Sequence, residues 1–67
     1  MDKLIKTNAL TPGGMAKKNK QHLVELFREG EWYVVYVSQN SNNNASISRF
    51  ETEKRSRAES YFKIYDK

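Results

Sequence analysis

By residue type, His22, Glu25 and Glu29 are the best candidates for holding a metal: one imidazole and two carboxylates. On a helix of 3.6 residues per turn they would fall within about 60° of one another. A single helix seldom completes such a site, and the chain has no cysteine and no second histidine to close it. Ordinary surface contacts between residues three and four apart are therefore expected, with no metal and no other cofactor. Catalysis has as little to stand on. There is one imidazole, no thiol, no glycine-rich phosphate loop joining a strand to a helix, and no acidic pair beside an evident pocket. The chain reads as a binding module, not an enzyme.

Its charges suggest what it binds. The formal net charge is +4, but unevenly spread. Lys3, Lys6, Lys17, Lys18 and Lys20 make the first twenty residues basic, and Lys54, Arg55, Arg57, Lys63 and Lys67 do the same for the last fourteen. Glu25, Glu29, Glu31, Glu51 and Glu53 make the middle acidic despite Arg28 and Arg49. Two basic ends that meet in space would form a patch for an anionic partner. Phosphate contacts are accordingly expected from Lys17, Lys18, Lys20, Arg49, Lys54, Arg55 and Arg57, with Arg suited to bidentate pairing and Lys to point-charge contact. Trp32 and Tyr33, beside several glutamates, are the expected anchors for a protein partner instead. The amides from Gln39 to Asn44 could reach base edges, but asparagine also tolerates the left-handed backbone of a tight turn, and a turn is the expectation.

These residues need elements to position them. Sixty-seven residues make one domain, too small to bury a large core, and homodimerisation would help to stabilise it. Thr11-Pro12-Gly13-Gly14 breaks the chain into a flexible arm or short edge strand over 1–14 and an α+β domain over 15–67. Leu23, Leu26 and Phe27 at helical spacing predict a helix from about Ala16 to Glu29, stopped by Gly30. Its first turns would carry three lysines against the helix dipole. Trp32 to Val37 alternates aromatic and β-branched side chains and predicts a strand that is apolar on both faces. Ala45 to Phe50 returns as a polar edge strand. Thr52 then caps a helix whose Ala58, Tyr61, Phe62 and Tyr65 face the sheet. The expected fold is thus a small α+β domain of helix, β-hairpin and helix, with Lys3 to Leu10 as an optional extra strand beside Trp32–Val37.

Trp32-Tyr33-Val34-Val35-Tyr36, Arg49-Phe50-Glu51-Thr52-Glu53, and Ala58-Glu59 with Phe62 together resemble the arm-binding domains of phage integrases. The likeness covers about half the chain. It implies a small sheet followed by a helix, with the sheet entering the DNA major groove. The chain departs from that family in lacking a glycine turn between these strands and basic residues along them. No stretch has the ~20 apolar residues of a membrane span, and Met1 to Thr7 has no apolar signal segment, so a cytoplasmic location is expected. Two functions follow: a nucleic-acid-associated accessory or regulatory protein, or an inhibitor or adaptor of the phage or mobile-element type acting on a host protein.

Overall fold

The computed structural model describes residues 3–10, 15–17, 20–39 and 46–66. It shows four strands and one helix, in the order β1 (Lys3–Thr7), β2 (His22–Glu29), β3 (Trp32–Gln39), β4 (Ser46–Thr52) and α1 (Arg55–Tyr65). The strands form one antiparallel meander, β1-β2-β3-β4, and α1 packs on one face of it. Helix–hairpin–helix is therefore the wrong architecture. The expected helix over Ala16 to Glu29 is replaced by β2, and it is β2, not β1, that pairs with β3 on the side away from β4. The Pro-Gly-Gly break, Lys18 and the Asn/Ser turn of residues 40–45 lie outside the described residues.

The error has a clear cause. Leu23, Val24, Leu26 and Phe27 satisfy a helical period, but they satisfy a strand buried on both sides equally well. As a strand, β2 places Val24 and Leu26 opposite Val37 and Val35 of β3, on the face that α1 covers. Leu23, Glu25, Phe27 and Glu29 then point the other way. Gly30 caps no helix. With φ of +63° it opens the two-residue turn between Glu29 and Trp32, the left-handed geometry that tight hairpins require. A Cβ there would meet nothing within 4 Å, so glycine is needed for its backbone and not for space. Gly30→Ala is expected to lower stability by roughly 1–2 kcal/mol, measurable as a fall in urea midpoint with unchanged m-value.

Val24, Leu26, Val35, Val37, Ala58 and Phe62 form the core, with Ile5, Tyr33, Phe50, Tyr61 and Tyr65 packed around it. The predicted stripe of α1 does face the sheet. Phe50 and Tyr61 stack with centroids 4.4 Å apart, and the Tyr61 hydroxyl meets Ser48 Oγ at 2.5 Å. Lys6 Nζ lies 4.9 Å from the centre of the Phe62 ring.

Asn8, just past β1, ties the layers together although it is 2% exposed. Its Oδ1 accepts from the Val24 N–H at 2.9 Å, and its Nδ2 donates to the His22 carbonyl at 2.9 Å and to Asp66 Oδ1 at 3.1 Å. One buried amide thus extends the β1–β2 ladder and pins the end of α1. No helix among the described residues is long and apolar enough to cross a membrane.

Candidate nucleic-acid interface

Strand register brings like charges together at one end of the molecule. Lys3 of β1 lies directly opposite Arg28 of β2, a cross-strand pairing that is locally unfavourable. Arg28 donates from Nε to the Gly30 carbonyl at 3.1 Å, and its guanidinium carbon sits 5.5 Å from the centre of the Tyr33 ring. Arg55, the first residue of α1, closes the third side. Lys3, Leu4, Ile5, Arg28, Tyr33 and Arg55 line a recess of about 310 Å³. Among the described residues, Arg55 pairs with Glu59 at 3.4 Å, whereas neither Lys3 nor Arg28 has a carboxylate within ion-pair distance.

The start of α1 adds to the charge. Thr52 is not the helix cap: its Oγ1 accepts from the Lys54 N–H at 3.1 Å, and the helix begins after Lys54. Lys54 makes no side-chain cap bond, and the first turn holds no acid. Lys54, Arg55 and Arg57 therefore stand at the positive end of the dipole, each opposed by about 0.3–1 kcal/mol when exposed. The conflict foreseen for a helix at Lys17 to Lys20 is absent there, since that helix does not exist, and is found on α1 instead. Cations gathered against both cross-strand and dipole preferences mark a place where local consistency yields to something else.

The other expected phosphate contacts are dispersed. Lys17 is exposed beside Asn8, at the far end of β1 and about 17 Å of strand away from Lys3. Lys20 pairs with Asp66 at 3.5 Å, at the C-terminal end of α1. Arg49 lies on the sheet face that α1 leaves uncovered, paired with Glu29 at 3.4 Å and with Glu51. Its Nε donates to the Tyr36 hydroxyl at 3.3 Å, and Tyr36 donates to Glu29 Oε2 at 2.5 Å. The hydrogen bond to Tyr36, with the charge of Glu29 beside it, raises the Arg49 pKa and keeps it cationic. Trp32 shares that open face, 43% exposed, while Tyr33 is on the helix side. The two expected partner anchors thus occupy opposite faces.

Strand alternation likewise separates His22, whose ring meets Tyr65 edge-on at 5.7 Å, from Glu25 and Glu29 on the open face. Tyr65 in turn has its pKa raised, chiefly by the hydrogen bond with Tyr61. Lys3 and Arg28 were missed by sequence reasoning because only the β1–β2 register makes them neighbours. Reading 22–29 as a strand would have been the signal. No protein-family model, curated protein or solved structure matches the chain.

Proposed function

We propose that this protein is a nucleic-acid-associated accessory module that grips a phosphate backbone in the recess formed by Lys3, Arg28 and Arg55, with Lys54 beside it at the start of α1. Arg57 lies on the other side of the helix, with Phe50 and Tyr61, and is not part of the grip. The observation that carries this reading is the register pairing of Lys3 with Arg28, closed by Arg55, with no carboxylate on the first two among the described residues. A phosphate entering there would relieve the mutual repulsion and meet the positive end of the helix. The open sheet face is the wrong surface for this task, because Glu25, Glu29 and Glu51 would repel the backbone. A sheet inserted into the major groove, as in the resembled integrase domains, is therefore not part of the proposal.

The test is fluorescence anisotropy with a labelled duplex and a labelled single strand of equal length, at about 50 and 200 mM salt. Three to four phosphate contacts on a duplex imply a roughly 40- to 150-fold loss of affinity between the two salts. Absence of binding to either strand form at the lower salt would refute the proposal.

A further inference from the structure

The sheet face opposite α1 carries its own pattern, which phosphate binding does not use. Register runs Leu4, Phe27 and Val34 in a row across β1, β2 and β3, ending at Glu51 on β4. Trp32 and Tyr36 flank Val34 on β3, and Phe27 meets Tyr36 edge-on with centroids 5.6 Å apart. Val34 is 1% exposed, whereas Leu4 and Trp32 remain 44% and 43% exposed. This is a packed apolar floor with two large side chains still in water. Glu25 and Glu29 stand on either side of Phe27 along β2, about 13 Å apart at strand rise. Arg49 is already engaged by Glu29 and Glu51, so the face remains net negative on a chain whose formal net charge is +4.

We infer that this face docks an amphipathic helix of a protein partner, with apolar residues on the accessible Leu4, Phe27 and Trp32 above the buried Val34 and lysine or arginine toward Glu25, Glu29 and Glu51. A helix is about 10–12 Å across, which fits between the two β2 carboxylates. The sheet already packs one helix on its other face, and a second would complete a three-layer arrangement. Charge selects the occupant. A second copy meeting this face with its own would set glutamates against glutamates. A cationic helix pairs them and can also place a cation over Trp32 or Tyr36.

Trp32 is the only tryptophan in the chain and stands on this face, so its emission reports occupancy directly. The probe is an 18-residue peptide of leucine and lysine with helical periodicity, titrated against the full chain. Its controls are a peptide of the same composition scrambled to remove the apolar face and a leucine–glutamate peptide of the same pattern. Saturable binding of the first peptide with a blue shift of Trp32 is expected, at least tenfold tighter than either control. Glu25→Lys with Glu51→Lys should weaken it at least tenfold while circular dichroism stays unchanged. Equal binding of the scrambled peptide, or a blue shift that survives the double charge reversal, overturns the inference. So does a blue shift that grows with protein concentration alone and tracks dimer in sedimentation, since a second copy would then hold the face. Loss of nucleic-acid binding in the separate anisotropy assay leaves this result untouched, because the two surfaces share no charged residue.

Discussion

Asn8→Ala is expected to destabilise the domain by about 3 kcal/mol, a large effect for a polar side chain next to a five-residue edge strand. The substitution removes the amide and leaves its partners in place. The Val24 N–H loses its acceptor in a buried setting, and the His22 carbonyl and Asp66 lose a donor. Each buried orphan costs roughly 1–3 kcal/mol, and the exposed side of Asp66 recovers its share from water. In a chain of this size that corresponds to a fall in Tm on the order of 20 °C. Asn8→Asp separates hydrogen bonding from size. One oxygen still accepts from Val24, but the other now faces the His22 carbonyl and the Asp66 carboxylate. Burial and that carboxylate raise the pKa of the introduced group in the folded state. A raised folded pKa means its proton-bound form is the stabilising one, so stability is retained below the unfolded carboxyl pKa and lost as pH rises through the folded value. The Asp variant should therefore be weaker than the Ala variant at pH 7 and recover relative to it on acidification. Urea unfolding across pH checks both, and an Ala variant within 0.5 kcal/mol of the parent would show that water replaces the amide.

Phe62→Ala should be more damaging still, by about 3–5 kcal/mol. Among the described residues, Phe62 is the largest fully buried side chain, and it lies in the contact between α1 and the sheet. Its loss leaves Ala58 as the remaining fully buried residue of the helix. A free sheet of four strands with one apolar face uncovered has little to hold it, and total stability in small domains is near the size of the deficit. The variant is expected to lose its helix and sheet signals together in circular dichroism. Phe62→Leu, which keeps most of the volume, should retain a cooperative transition at reduced midpoint. A Phe62→Ala chain that stays folded to the parent's midpoint would mean that α1 is held by its ends and not by its buried face.

What the sequence revealed and what it hid follow from periodicity. The stripe of α1 was legible because Ala58, Tyr61, Phe62 and Tyr65 fit one helical face and no strand pattern. β3 was legible from its aromatic and β-branched run. β2 was not, because a short apolar segment buried on both faces satisfies either period, and Gly30 serves equally as a helix stop and as a hairpin turn. That single error concealed the site. With 22–29 read as a helix, Arg28 has no cross-strand neighbour, and Lys3 belongs to an arm. Arg49, expected among the phosphate contacts for its charge alone, is placed by alternation along β4 with Glu29, Glu51 and Tyr36. Lys54, Arg55 and Arg57 were visible in sequence because they adjoin one another. Their conflict with the dipole was not, because Thr52 imitates a cap two residues before the actual cap position, Lys54.

The resulting division of charge gives the domain two unlike surfaces. Lys3, Arg28 and Arg55 gather where β1, β2 and the start of α1 converge, and acids with aromatics occupy the opposite face of the sheet. Net charge alone would attract polyanions weakly to any basic surface. A built recess should instead depend on which cations are present.

The most direct measurement compares two double charge reversals that change net charge equally. Lys3→Glu with Arg28→Glu alters the recess, while Lys17→Glu with Lys63→Glu alters exposed lysines outside it. Affinity for the labelled DNA at about 50 mM salt is read by anisotropy for both, after circular dichroism shows that each is folded. The recess pair is expected to lose at least tenfold more affinity than the outer pair and to show a shallower salt dependence. Equal losses in the two variants would contradict the recess, leaving only a diffuse attraction of a basic protein for a polyanion.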